Sequence, residues 1–87
     1  MAKQVIKFYA NWCGPCQAYG PIFDRVKQDL EYIIEFKEVN VEQDPDNLAG
    51  EYGVRGIPHT VLLEEGAETR AASGRLGVEE LKQFILN

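Results

Sequence analysis

Two cysteines are the residues of this sequence whose type and spacing point most directly to chemistry. Cys13 and Cys16 are the only cysteines in the chain, and two residues separate them. A Cys-x-x-Cys pair between a strand and a helix is typical of thiol–disulfide exchange, because the two thiols can form a reversible intramolecular disulfide. A structural zinc site needs four ligands, whereas the chain offers two cysteines and one histidine. The pair therefore predicts redox chemistry, with no metal.

The pair lies where a predicted strand ends and a predicted helix begins. Residues Val5–Ala10 are apolar with one interrupting charge, as in a strand buried on both faces. From Cys13 to about Leu30 the apolar residues share one helical face: Tyr19, Ile22, Phe23, Val26 and Leu30. The N-terminus of a helix stabilises a thiolate through its unpaired N–H groups and its dipole. Cys13 at this cap should feel the effect most, with Cys16 one turn further in and less exposed.

The remainder of the chain alternates between strand and helix patterns. We predict a second strand over Ile33–Val41. A short helix should follow, with Asp44 as its N-cap, Pro45 at its first position and its end by Tyr52-Gly53. Two further strands, Thr60–Leu63 and Thr69–Ser73, should be joined by a Glu65-Gly66 turn, and a last helix should span Val78–Leu86. Pro21 should kink the first helix. The order β-α-β-α-β-β-α predicts an α/β fold, with a mixed four-stranded sheet flanked by helices.

Composition and charge exclude several classes of protein. The 87 residues suffice for a single domain over 1–87, and a net charge of −5 without a basic cluster argues against nucleic-acid and anionic-membrane binding. No apolar run approaches the roughly 18–20 residues that span a bilayer. The N-terminal residues show no pattern of a secretory signal. We therefore expect a reducing, cytoplasmic environment.

Several motifs together resemble the thioredoxin family. They are the Trp12-Cys13-Gly14-Pro15-Cys16 sequence after an apolar strand, Pro21 in the following helix, the Tyr52–Pro58 stretch that ends in Gly56-Ile57-Pro58, the Asn40–Pro45 strand exit and Gly74. The resemblance implies a minimal thioredoxin fold that lacks the N-terminal strand and helix common in the family. It further implies a monomeric protein-disulfide reductase and electron carrier in cell redox homeostasis. Such a protein has no cofactor beyond its dithiol, and a thioredoxin reductase supplies its electrons.

The resemblance also implies roles for individual residues. The Cys13 thiolate would attack a disulfide of a protein substrate, and Cys16 would resolve the mixed disulfide. Pro58 would be cis and would present the Ile57 backbone beside Cys13. The substrate-binding rim would consist of Trp12, Gly14, Pro15, Ile57, Pro58, Gly74 and Arg75.

Two further catalytic candidates, Lys7 and Glu38, stand where the family typically has a buried Asp and a Lys across the sheet. Period-two spacing places each residue on one face of its strand. The two can therefore form an ion pair in which the positions of the positive and negative charges are swapped relative to the family. Glu38 would then carry protons to and from Cys16, while Lys7 would favour its thiolate. The alternative is that Lys7 snorkels to solvent and Glu38 is simply exposed.

The sequence also allows other functions, and it allows two roles for one further residue, His59. A glutaredoxin-like, glutathione-coupled reductase would suit the short chain, although glutaredoxins more often have Pro and Tyr between their cysteines. A non-catalytic binding module would use the same rim, with the thiols as passengers. An exported oxidant or isomerase is disfavoured by the absent signal and by the Gly-Pro dipeptide. His59 either makes activity pH-sensitive near its unperturbed pKa of about 6.5 or is an inert residue of the rim.

Overall fold

The computed structural model describes residues 2–87 and contains four strands and three helices. The elements are β1 (Lys3–Tyr9), α1 (Gly14–Leu30), β2 (Glu35–Asn40), α2 (Leu48–Glu51), β3 (His59–Glu64), β4 (Ala67–Ser73) and α3 (Val78–Leu86). The sheet order is β2-β1-β3-β4. β1 pairs in parallel with β2 and antiparallel with β3, and β3 pairs antiparallel with β4. The predicted fold class and element order are therefore confirmed.

Strand β1 lies inside the sheet because its side chains are apolar on both faces. Val5 and Phe8 are fully buried on opposite faces. A parallel β1–β2 pair requires a long crossover, and α1 supplies it. Cys13 and Cys16 follow shortly after β1, so the most deeply buried part of the sheet positions them.

One face of the sheet, here called the α1–α3 face, carries the larger core. The buried side chains of α1 meet those of α3 over the sheet, with Tyr19, Phe23, Val26, Leu81 and Ile85 all fully buried. Lys82 of α3 forms a salt bridge with Asp29 of α1 at 3.0 Å. α1 continues through Pro21 as one helix. Two helices thus seal this face.

The opposite face, here called the α2 face, has a thinner cover. Ile6, Phe8, Val39, Val61 and Leu63 form its buried core. The covering residues come from the four-residue helix α2 and the chain after it, and they are only partly buried: Leu48, Ala49, Tyr52, Val54 and Ile57. This face has little regular structure between its core and solvent.

The predicted start of the second helix is wrong. α2 begins at Leu48, and Asn47, with a left-handed φ of 53°, occupies the cap position. Asp44 still satisfies the helix N-terminus, since its carboxylate accepts the N–H groups of Leu48 and Ala49, each at 2.9 Å. The Asp44–Asn47 turn displaces the helix start while the carboxylate keeps its capping partners.

The predicted second strand is also too long at its N-terminal end. Ile33 lies in a turn, 54% exposed, and its N–H donates to the carbonyl of Leu30 at 3.0 Å. The turn that closes α1 takes this β-branched residue out of the strand, so β2 begins at Glu35. The other strands and α3 lie within a residue or two of their predicted limits.

Candidate active site

The two cysteines lie at the N-terminus of α1, joined as a disulfide with their Cα atoms 5.2 Å apart. Cys13 is the N-cap residue, with an extended backbone, and its Sγ atom accepts the N–H of Cys16 at 3.2 Å. The chain reaches this geometry because β1 ends at Tyr9 and a tight turn follows, in which the Cys13 N–H donates to the Ala10 carbonyl at 3.2 Å. The helix N-terminus is therefore directed at the sulfur of Cys13.

The expected difference in exposure between the two cysteines is absent in this disulfide state. Cys13 is 5% exposed and Cys16 is 4% exposed. Both pack in a small cluster with Ala10, against which Tyr9, Val41 and Ile57 also lie. This cluster covers the two cysteines to nearly the same extent. The helix cap, rather than burial, distinguishes Cys13.

A second loop lies beside the cysteines and carries the Ile57-Pro58 bond, which is cis, as the resemblance implied. The Ile57 carbonyl oxygen lies 3.8 Å from Cys13 Sγ. The N–H of Gly74, which has a φ of 91°, donates to the Pro58 carbonyl at 2.8 Å. This bond brings the turn after β4 next to the Ile57-Pro58 loop, so three separate chain segments meet around Cys13.

The residues predicted for the rim differ in how they are presented. Trp12 is 67% exposed, and Gly14, Pro15 and Arg75 are exposed as well. Ile57 and Gly74 are half-buried. The Pro58 ring is fully buried, so this residue shapes the rim through its backbone.

An apolar groove of about 250 Å³ runs beside Trp12 and Ile57. Val41, Val54 and Arg55 line it, and none of these three was singled out from the sequence as a site residue. The signal available was an apolar residue directly after a β-strand and another in the stretch before Pro58. Only the fold shows that these two segments face each other.

Lys7 and Glu38 form an ion pair, with Lys7 Nζ 2.7 Å from Glu38 Oε1. They are direct neighbours in the parallel β1–β2 register. The side chain of Lys7 is 5% exposed and that of Glu38 is 40% exposed. The ammonium also lies 5.0 Å from the ring centroids of both Tyr9 and Phe23. The cation is thus buried among aromatic rings, while its partner carboxylate reaches solvent.

Lys7 and Cys16 line the same cleft, which has a volume of about 340 Å³. Glu38 lines a different cleft, of about 310 Å³, on the other side of Tyr9, which borders both. Of the two charged residues, the lysine therefore shares open space with the second cysteine.

Two buried polar groups support the strands that carry the site. The Tyr19 hydroxyl lies 2.7 Å from Thr60 Oγ1, and burial raises the pKa of this phenol to about 12 against the opposing effect of that hydrogen bond. On the other face, His59 Nδ1 lies 3.1 Å from Ser73 Oγ. Burial lowers the pKa of His59, against a weaker opposing effect from the charge of Glu68.

Residues 2–87 contain neither a metal-binding cluster nor a membrane-spanning helix. No three side chains of the His, Cys, Asp and Glu types come together in an arrangement that could hold a metal ion. None of the helices in this range is long and apolar enough to cross a membrane. The disulfide is the redox group that the arrangement offers.

A mixed four-stranded sheet, a helix beginning at a Cys-x-x-Cys disulfide and a cis-proline loop against its first sulfur define a thiol–disulfide oxidoreductase. The sequence model of the thioredoxin family matches residues 1–87. The chain therefore belongs to the thioredoxin family.

Individual relatives agree with this assignment. A thioredoxin from Mycoplasmoides gallisepticum is 39% identical over 83 residues, covering 95% of this chain and 81% of that protein. A chloroplastic thioredoxin, M4, from Arabidopsis thaliana is 31% identical over 81 residues, covering 93% of this chain and 42% of that protein. A chain from a structural study of thiol resolution in a yeast mitochondrial 1-Cys peroxiredoxin, via glutathione and thioredoxin systems, superimposes with a TM-score of 0.86. The two chains are 31% identical, and the match covers 97% of this chain and 76% of the other.

Proposed function

We propose that this protein reduces protein disulfides with Cys13 as the nucleophile and Cys16 as the resolving thiol. The observation that carries this order is the position of Cys13 Sγ, which caps α1 and accepts the Cys16 N–H at 3.2 Å. A negative charge at the N-terminus of a helix is stabilised, so Cys13 is the thiol that ionises first.

The reaction transfers two electrons to the substrate in two exchange steps. The Cys13 thiolate attacks one sulfur of the target disulfide, forming a mixed disulfide while the other target sulfur leaves as a thiolate and takes up a proton. Cys16 then loses its proton and attacks Cys13 Sγ, which releases the second target thiolate. The products are a target dithiol and the Cys13–Cys16 disulfide seen in the structure.

Substrate recognition would use the rim of Trp12, Gly14, Pro15, Ile57, Pro58, Gly74 and Arg75. The apolar groove of Val41, Val54 and Ile57 beside exposed Trp12 supports this proposal, because an extended peptide could lay an apolar side chain there. The Ile57 carbonyl, 3.8 Å from Cys13 Sγ, would direct the backbone of that peptide towards the attacking sulfur.

The assignment of the two cysteines is tested by trapping. Cys16→Ser should accumulate a covalent complex with a disulfide-containing protein, because the mixed disulfide cannot be resolved. Cys13→Ser, the matched control, should accumulate none. A complex that forms with Cys13→Ser and not with Cys16→Ser would reverse the roles, and no complex with either would contradict the mechanism.

The Lys7–Glu38 pair would assist the second step. The Lys7 ammonium shares a cleft with Cys16 and would favour the Cys16 thiolate. Glu38 Oε1 lies 2.7 Å from Lys7 Nζ, and the Glu38 side chain is 40% exposed. Glu38 would therefore exchange the proton of Cys16 with water. Glu38→Gln should slow resolution about 10-fold and change its pH profile. Glu35→Gln is the matched control on the same strand and should change neither. An unchanged pH profile in Glu38→Gln would exclude the proton-transfer role.

The electron donor would be a thioredoxin reductase, and the protein would act as a monomeric electron carrier in the cytoplasm. The Cys-Gly-Pro-Cys motif and the family membership support this donor over glutathione. Measured side by side, a bacterial thioredoxin reductase with NADPH should reduce the disulfide much faster than reduced glutathione. Faster reduction by glutathione would favour the glutaredoxin-like alternative.

A further inference from the structure

His59 is buried beside the Ile57-Pro58 loop of the rim, and one of its ring nitrogens has no hydrogen-bond partner among the described residues. It is the first residue of β3, directly after Pro58, and is 8% exposed. Its Nδ1 atom lies 3.1 Å from the Oγ atom of Ser73, which is the last residue of β4. Its Nε2 atom is buried and makes no hydrogen bond to any part of the chain within residues 2–87.

The bond between His59 and Ser73 lies next to another that joins the same two segments. The Gly74 N–H donates to the Pro58 carbonyl at 2.8 Å. Two neighbouring bonds therefore hold the turn after β4 against the loop before β3. The Ile57 carbonyl of that loop lies 3.8 Å from Cys13 Sγ, so the placement of these segments sets the shape of the rim beside the nucleophile.

The surroundings of His59 offer little to a positive charge. From β1 it faces the Phe8 ring, whose centroid lies 6.4 Å from that of the imidazole. On the α2 side, the ring of Tyr52 packs on that of Phe8, with the two centroids 6.2 Å apart. From β4 comes Glu68, whose charge favours the protonated form, although burial outweighs it.

Protonation would change the hydrogen bonding whichever neutral tautomer is present. An imidazolium carries an N–H on both nitrogens, so Nε2 is then a donor and Nδ1 can no longer accept from Ser73 Oγ. No acceptor within residues 2–87 meets Nε2, and a buried unsatisfied donor is destabilising by about 1–3 kcal/mol, more when charged. The ring can relieve this only by moving towards water, which breaks its bond to Ser73.

We propose that His59 is a pH-sensitive positioning residue, which as the neutral imidazole holds the Ser73-Gly74 turn against the Ile57-Pro58 loop and on protonation releases it. The event is the uptake of one proton from solvent, with no covalent change. Docking of a protein disulfide weakens at acid pH, whereas the exchange chemistry of Cys13 with a small disulfide does not depend on His59. The inference rests on the proposed docking role of this rim.

The test is the ratio of two second-order rate constants for the reduced protein, measured from about pH 8 to about pH 5. One substrate is a short, end-capped peptide with an intramolecular disulfide and no titratable side chain; the other is 2-hydroxyethyl disulfide. Thiolate formation affects both rates equally and cancels in the ratio. The ratio should fall about 3- to 10-fold on acidification, the effect of losing one hydrogen bond.

The midpoint of that fall can be assigned without any substitution. His59 is the only histidine in the chain, so its imidazole proton resonances identify themselves in an NMR titration. The NMR midpoint and the midpoint of the ratio should coincide below the usual histidine value near 6.5. A ratio that stays constant while His59 titrates would overturn the inference.

Variants separate the link from other effects of pH. His59→Asn keeps an amide nitrogen towards Ser73 but cannot titrate, so its ratio should be independent of pH. Ser73→Ala should give a low ratio at every pH. Thr69→Ala is the matched control, because it removes a β4 hydroxyl that bonds Glu64 at 2.9 Å, away from the rim. It should behave like the unsubstituted protein.

Three further results would contradict the inference, and one of them would also remove its basis. A full acid step in His59→Asn, or a normal ratio in Ser73→Ala, would exclude the link while leaving disulfide reduction intact. If neither substrate were reduced even at about pH 8, the proposed function would fail, and this inference with it.

Discussion

The two faces of the sheet differ in how they are covered, and the difference separates stability from recognition. On the α1–α3 face, helices of 17 and 9 residues enclose a core of fully buried side chains. On the α2 face, a four-residue helix and an irregular chain cover the core with half-buried residues. The apolar groove beside Trp12 and Ile57 opens on the α2 face. Binding loops come from the less stable parts of a protein, and here the well-packed face supports the thinly covered one.

The largest expected effect compares one aromatic side chain from each face. Phe23→Ala should lower the free energy of unfolding by about 3–5 kcal/mol, because a fully buried ring leaves a cavity. Tyr52→Ala, from the α2 face, should cost only about 1–2 kcal/mol, because its ring is partly exposed. Urea denaturation measures both. Equal losses would contradict the contrast between the faces.

The buried cation of the α1–α3 face allows a second comparison. Glu38→Ala leaves the Lys7 ammonium, 5% exposed, without its partner, and should cost about 1–2 kcal/mol, reduced from the fully buried case because water reaches this site. Lys7→Met removes the charge itself from between two aromatic rings and should cost less than about 1 kcal/mol. The same urea measurement checks the order. A greater loss in Lys7→Met would show that the cation stabilises the fold without needing Glu38.

The cap of α2 tests how firmly the thin face is held. Asp44→Ala removes the acceptor of the Leu48 and Ala49 N–H groups and should cost about 1 kcal/mol. Amide hydrogen exchange should accelerate in α2 and in the chain that follows it, while α1 and α3 remain unchanged. Faster exchange across the whole molecule would mean that α2 is part of the global folding unit. Asp46→Ala is the control from the same turn.

The smallest expected effect is a difference in acid sensitivity between the faces. Burial lowers the pKa of His59, so the unfolded chain takes up this proton first and stability on the α2 face is lost as the pH falls below about 6.5. The hydrogen bond from Lys82 lowers the pKa of Asp29, so its contribution on the α1–α3 face is present above the ordinary value of 3.8 and is lost as the pH falls further.

Urea midpoints measured across this pH range separate the two steps. His59→Asn should remove only the step that begins near pH 6.5, and Asp29→Asn only the one below pH 3.8. Loss of the upper step in Asp29→Asn would contradict the assignment.

Sequence patterns were informative where periodicity and burial agree. The apolar face of α1, from Tyr19 to Leu30, and the full extent of α3 follow from helical spacing. The position of Cys13 at a helix cap follows from the strand before it and the helix after it. Positions on one face of a helix, or at the junction between a strand and the helix that follows it, can be predicted in this way.

Other features depend on contacts between distant segments and leave no local signal. Asp44 is of a residue type that is favoured at the N-cap, but the turn that follows it moves the start of the helix to Leu48. The equal burial of Cys13 and Cys16 comes from a disulfide packed between loops. The bond of His59 to Ser73 joins residues 14 positions apart, and only the β3–β4 register brings them together.

Cys13 and Cys16 should form a reversible, strongly reducing couple. The most direct test is an equilibrium titration in graded thiol/disulfide buffers, followed by the fluorescence of Trp12, the only tryptophan in the chain and the immediate neighbour of Cys13. We expect one two-electron transition near the value characteristic of thioredoxins, about −270 mV. A transition at roughly −200 to −230 mV would instead indicate a glutaredoxin-like couple. The absence of any reversible transition would contradict a redox role for the two cysteines and leave the rim as a binding surface alone.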